Sequence, residues 1–193
     1  MPAWIWLLPL AALLLLYPVR AWRDAPVFPT DAGALAGLDE RITLAPDARI
    51  VDAGSGLGHG LRALRGLWPA ARIEGVERSA LLAAWSRWRC PWARVTRADM
   101  WAASWRGADL VYLFQRPESM PRAWDKARAE LAPGAWLVSL EFEIPGVAAV
   151  ARLQRPGRRP VHVYRVGREA AAAQPTRAAA DNPPRACLPR ASA

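Results

Sequence analysis

The chain has 193 residues, 53% hydrophobic and 22% charged, which suits one domain of ordinary size and excludes a wholly disordered chain. Two cysteines, Cys90 and Cys187, and two histidines, His59 and His162, exclude a disulfide scaffold and a zinc cluster. The net charge of +9 is uneven: nine arginines against Glu169 and Asp181 put +7 from Val147 onward, leaving +2 in the first 146 residues, so nucleic acid ranks last among partners.

Ala3–Val19 holds no charge, and Tyr17 is its one polar side chain. At ~1.5 Å per residue its seventeen positions make about 25 Å of helix, at the short end of a bilayer span. Trp4 and Trp6 flank one end, Tyr17 and Trp22 the other, and Arg20 and Arg23 follow. This pattern predicts a single-pass anchor over residues 1–23, in the cytoplasmic (inner) membrane, with the rest of the chain facing the cytoplasm. A cleaved signal peptide would want a basic leader and a small-residue cleavage site, and neither is present.

After the Pro-containing linker Asp24–Pro29, Thr30-Asp31 is placed to cap a helix carrying Leu35, Leu38 and Ile42 and ending at Pro46. An alternation of strands and helices follows. Strands are expected at Arg49–Asp52, Arg72–Glu77, Trp92–Ala98, Ala108–Phe114 and Ala135–Phe142. Helices are expected at Gly60–Trp68, with Leu61, Leu64 and Trp68 on one face; after Ser79, with Leu81, Trp85 and Trp88 inward; and at Glu118–Leu131. Val147–Leu153 and Val161–Val166 read as a closing hairpin across Pro156-Gly157. The fold class is therefore α/β: a Rossmann-like, doubly wound, mostly parallel sheet with an antiparallel edge, over residues 24–167. Residues 168–193 are Ala, Pro and Arg without apolar periodicity and read as a disordered tail.

In such a sheet ligands bind beyond the carboxyl ends of the strands. The first strand runs into Asp52-Ala-Gly54-Ser55-Gly56-Leu-Gly58, where glycines let the backbone turn and approach a ligand. The second ends at Glu77, able to accept both hydroxyls of a ribose. The third leads to Asp99-Met100, and the fourth to Gln115, Arg116 and Pro117. His59 stands where the dinucleotide fingerprint needs its last glycine, and no Gly-Lys-Ser/Thr follows, so the pattern fits a ribose and adenine without a pyrophosphate.

Val51-Asp-Ala-Gly-Ser-Gly-Leu-Gly58, Gly75-Val-Glu77 and Ala98-Asp-Met-Trp101 resemble the first three motifs of class I S-adenosylmethionine-dependent methyltransferases, over roughly Pro26 to Gly146. The hydrophobic run, Val27-Phe-Pro-Thr30 and Phe142-Glu-Ile-Pro145 are similar to features of the small membrane-anchored protein-lysine methyltransferases, including those acting on the ATP synthase c subunit. Where that subgroup carries Asp-Gly-Arg after the glycines, this chain has Leu57-Gly58-His59; for Glu-x-Asn-Pro it has Glu77-Arg-Ser-Ala80. The resemblance implies S-adenosyl-L-methionine as cofactor. It places Gly54, Ser55, Gly56 and Gly58 under the methionine part, Asp52 at its amino end, Glu77 on the ribose and Asp99 and Met100 by the adenine. Gln115, Arg116 and Pro117 would line the methyl-transfer site, with no general base assigned. The implied acceptor is a protein side chain, lysine, on a membrane-associated partner. The alternatives are a lipid-soluble small molecule, or no catalysis and a membrane-tethered scaffold.

Overall fold

The computed structural model describes residues 29–167; the expected anchor and tail lie outside them. Among the described residues no helix is long and apolar enough to cross a membrane.

Elements in chain order are α1 (Ala32–Leu35), β1 (Arg49–Ala53), α2 (His59–Leu67), β2 (Arg72–Glu77), α3 (Ala80–Arg89), β3 (Arg94–Arg97), β4 (Leu110–Leu113), a 3-10 turn (Pro117–Ser119), α4 (Met120–Glu130), β5 (Trp136–Leu140), β6 (Ala151–Leu153) and β7 (Val161–Arg165). The strands form one seven-stranded sheet in the order β3-β2-β1-β4-β5-β7-β6. Pairing is parallel from β3 to β5 and antiparallel where β7 enters between β5 and β6. The expected Rossmann-like architecture with an antiparallel edge is therefore present.

Strand alternation sorts the core into two layers. Ile50, Leu110, Tyr112, Val138 and Val163 face α1, α2 and α3. Val51, Ala53, Val111, Leu113 and Leu137 face α4 and the loop carrying Met100 and Trp105.

Three expectations need correction. The helix after Thr30 is a single turn, capped by the Asp31 carboxylate on Gly33 N–H at 3.0 Å. Gly37 at φ +77° turns the chain away, and the Arg155 guanidinium takes the freed Ala36 carbonyl at 2.9 Å. Leu38 and Ile42 reach the core from irregular backbone. The strand expected to end at Phe142 stops at Leu140, since Glu141 sits at φ +75°. Glu141 pairs with Arg159 at 3.0 Å.

The third correction concerns α3. Ser79 caps it as expected, accepting from Leu82 N–H at 3.4 Å. Its inward residues, however, are Ala83 and Ser86, with Cys90 behind them, while Leu81, Trp85 and Trp88 face outward. The reason is a close approach. A Cβ built on Gly58 would lie 3.0 Å from both Ser86 Oγ and Cys90 Sγ, so only small side chains fit between α3 and the glycine loop. Hydrophobicity named Leu and Trp as the inner face, and packing space chose Ala, Ser and Cys.

Candidate active site

The direction of the β-α connections reverses between β1 and β4, which opens a crevice at their carboxyl ends. A cavity of about 940 Å³ occupies it, in the size range of a cofactor-plus-substrate site. Asp52, Gly54, Ser55 and Gly56 of the glycine loop line it, with Glu77, Asp99, Met100, Gln115 and Arg116. The topology thus gathers residues spread over more than 60 positions of sequence.

Glu77 ties the loop together. One of its carboxylate oxygens accepts from Gly56 N–H at 2.9 Å, the other from Ser79 N–H at 2.7 Å. The loop backbone is anchored separately, with Gly54 N–H and Ser55 N–H both donating to Val76 O. Gly54 is held at φ +101°, and a Cβ there would stand 2.6 Å from Gln115 Nε2, which donates to Ala53 O at 3.3 Å. Gly56 is the open position. A Cβ on it would meet only the loop's own Gly54 carbonyl, at 3.9 Å.

Gly58, expected under the cofactor, and Pro117, expected at the methyl-transfer site, lie off the cavity wall. Gly58 does not line the cavity; at φ +80° it starts α2 and faces α3. Pro117 opens the 3-10 turn and is also absent from the cavity wall. Ser55 lines the cavity, but its hydroxyl lies beside Gly75, where a Cβ would come within 2.8 Å. Asp99 spends one carboxylate oxygen on Trp101 N–H at 2.9 Å. That turn sets Trp101 at the wall, under the Arg122 guanidinium 4.4 Å from its ring.

Asp52 is 2% exposed, and its Oδ2 has no hydrogen-bond partner. Burial first, and then the Glu77 charge, raise its pKa to about 8, against a hydrogen bond from the Leu61 backbone. Such a carboxyl is poised to ionise when a cation enters beside it. His59, at the wall, is held below its usual range by burial and by Arg89 and Arg62, so it is neutral at pH 7.

Sequence reasoning assigned no role to the far wall. The Tyr112 hydroxyl bonds Thr30 Oγ1 at 3.0 Å, and burial with the Asp52 charge pushes it above the ordinary phenol range. Phe114 and Phe142 continue the wall. Tyr112 was hidden inside an apolar strand pattern; its place next to the last strand residue was the available signal. Tyr112 stands beside Asp52 across the β1–β4 pairing, so the cavity is lined both by the carboxylates and glycine loop and by the rings of Tyr112, Phe114 and Phe142. The unpartnered Asp52 oxygen, the open Gly56 and the Glu77 carboxylate fit S-adenosylmethionine, which presents an ammonium, a methionine backbone and a ribose diol.

Comparison with known proteins agrees with this geometry. The chain is 31% identical over 140 residues to a trans-aconitate 2-methyltransferase of Variovorax paradoxus (strain S110), covering 70% of this chain and 49% of that protein. It is 30% identical over 147 residues to the enzyme of that name from Paracidovorax citrulli (strain AAC00-1), covering 71% and 50%. The chain thus spans about half the length of these curated relatives. Among solved structures, an RNA methyltransferase from Salinibacter ruber in complex with S-adenosyl-L-homocysteine superposes with a TM-score of 0.64 at 22% identity, over 72% of this chain and 94% of that one. A ribosomal protein L11 methylase from Lactobacillus delbrueckii subsp. bulgaricus does so with a TM-score of 0.56 at 14% identity, over 69% and 77%. These two structures share the fold. The family model described as the ANTKMT methyltransferase domain matches residues 52–151, from the buried carboxyl to the start of β6. With that match over half of its length, the chain belongs to the ANTKMT methyltransferase domain family of class I S-adenosylmethionine-dependent methyltransferases.

Proposed function

We propose that this protein transfers a methyl group from S-adenosylmethionine to the side-chain amine of a lysine on a membrane-associated protein. The observation that carries the reading is a single cavity lined by the Asp52 and Glu77 carboxylates, the glycine loop and the rings of Tyr112, Phe114 and Phe142. Bound S-adenosylmethionine supplies an activated methyl on a sulfonium whose departure leaves a neutral thioether, so no acid is needed for the leaving group. Asp52 and Glu77 hold the two polar ends of the donor, and Gly56 leaves room for its backbone. Phe114, Phe142 and Tyr112 remove water from the incoming amine, favouring its neutral, nucleophilic form. What remains is alignment of the amine with the sulfonium methyl, which can remove a large part of the barrier to such a displacement. The membrane part of the reading is supported by the apolar run Ala3–Val19.

A second reading rests on Arg116 and Arg122 at the cavity wall, with the names of the curated relatives: guanidiniums can grip a carboxylate, so a small organic acid would be the acceptor. Radiolabelled donor separates the two. Label in protein that survives alkali and elutes as methyl-lysine after hydrolysis supports the first. Label in a small, alkali-labile ester supports the second. After a high-salt wash that strips electrostatic surface contacts, a chain lacking residues 1–23 is expected to leave the membrane fraction while the full chain stays; identical fractionation of the two would end the anchoring idea.

The raised Asp52 pKa gives a signed prediction. Folded Asp52 keeps its proton from about pH 4 to about 8, where the unfolded group has lost it. Its contribution to stability is therefore complete below pH 4 and declines as pH rises through that window. A ligand ammonium reverses this by favouring the carboxylate. S-adenosylhomocysteine binding should tighten between pH 6 and 8, by up to about tenfold per pH unit, with a proton released into the buffer. Calorimetric titration in buffers of different ionisation enthalpy reads both. Asp52→Asn should abolish the dependence, and a flat wild-type profile would contradict the assignment.

A further inference from the structure

We infer that the outer face of α3 is a docking surface for an anionic lipid bilayer. Among the described residues the exposed large hydrophobic side chains are Leu81, Trp85, Trp88, Trp92 and Val150. Leu81, Trp85 and Trp88 fall at the spacing of one stripe along α3, and Trp92 follows in the turn after it. Trp88 is 71% exposed and Leu81 52%, exposures that water alone does not favour for a contiguous set.

The surroundings identify the occupant. Arg65 and Arg89 stand against the indoles of this face, Arg62 acts with Arg89 on His59 and Cys90 beside it, and no Asp or Glu occurs from Arg78 to Ala98 or within α2. The Arg65 guanidinium stands 4.4 Å over the Trp92 ring, Arg89 lies 6.0 Å from Trp85, and the Trp85 and Trp88 rings are 5.1 Å apart, tilted at 52°. Indoles beside guanidiniums, with a leucine between, match the headgroup level of a membrane. There Trp is favoured, Arg pairs with anionic phosphates, and the apolar edge enters the acyl boundary. A second protein copy would place arginine against arginine, and RNA would leave Leu81 without a partner. Position agrees. Ser79, the cap of α3, and Leu82 within it line the cavity. A bilayer on this face would lie beside the cavity mouth.

The test reads lipid contact rather than methyl transfer, so it stands apart from the acceptor assignment. The full chain is labelled with 5-fluorotryptophan and added to nanodiscs of phosphatidylcholine, with or without phosphatidylglycerol, carrying a spin-labelled lipid. Single Phe substitutions assign the Trp85, Trp88 and Trp92 fluorine signals. In anionic discs these three should broaden at least about twofold more than the buried Trp105 signal, with a smaller effect in neutral discs. Arg62→Glu with Arg89→Glu should lower affinity for anionic discs at least about tenfold. Any of three results overturns the inference: the signals stay sharp on disc-bound chain, whether covered by residues 3–19 or by a second copy; the chain does not join anionic discs; or added RNA perturbs the signals while lipid does not.

Discussion

Glu77→Ala should weaken S-adenosylhomocysteine binding by at least about 100-fold, with the protein still folded. Each hydrogen bond to a charged group contributes about 1.5–3 kcal/mol, and Glu77 offers a carboxylate for a ribose diol while fixing the loop that receives the rest of the ligand. Its loss removes the acceptors for Gly56 N–H and Ser79 N–H together. The two bonds to the ribose hydroxyls, lost at the low end of that range, already give about 3 kcal/mol, or two decades in affinity. Calorimetric titration beside a circular dichroism melt separates binding from stability. Retained micromolar binding by a folded variant would remove Glu77 from the site. Glu77→Gln should fall between, because an amide keeps one acceptor and presents one donor to an N–H.

Gly60→Ala should destabilise the protein by about 2 kcal/mol or more, against the ordinary preference of a helix interior for alanine by about 1 kcal/mol. Gly60 lies in the first turn of α2. A Cβ there would stand 2.4 Å from Asp52 Oδ2 and 3.0 Å from Tyr112 Cε1. Both neighbours are buried and cannot retreat, so the loop and β4 must part or Asp52 must turn. Gly66, in the same helix, has nothing within 4 Å of a built Cβ, and Gly66→Ala should stabilise by about 0.5–1 kcal/mol. Opposite signs for the same substitution in one helix, read by urea unfolding, would locate the constraint in the active site. Equal signs would refute it.

The residues that were legible in the sequence are those whose role is local. Asp52, Glu77 and Asp99 end strands or follow them directly, and chain order alone places such positions at one rim of a parallel sheet. Ser79 and Asp31 cap their helices because a capping side chain acts on backbone two or three residues away. What stayed hidden depends on distance in sequence. The face of α3 is decided by Gly58, more than twenty residues earlier, and apolar periodicity carries no record of that contact. Tyr112 becomes a site residue through Thr30, 82 positions away. Gly58 looked like part of the cradle because a motif records residue type, and glycine serves close packing as readily as ligand approach. Pro117 was placed at the site by adjacency to Gln115, while the 3-10 turn carries it off the wall.

The entry of β7 between β5 and β6 bears on how the chain can be made and shortened. Until Val161–Arg165 has left the ribosome, β5 keeps an open hydrogen-bonding edge and β6 has no neighbour. The Arg158–Asp31 and Arg155–Ala36 bonds, which fasten the first turn of the domain, likewise wait for the loop between β6 and β7. Nascent chains stalled near residue 151, where the family match ends, would therefore display a sticky edge and an untied beginning, inviting pairing between neighbouring chains on a polysome. The last strand to be synthesised acts as the clasp of the fold, and deletions from the carboxyl end are tolerable only as far back as its final residue.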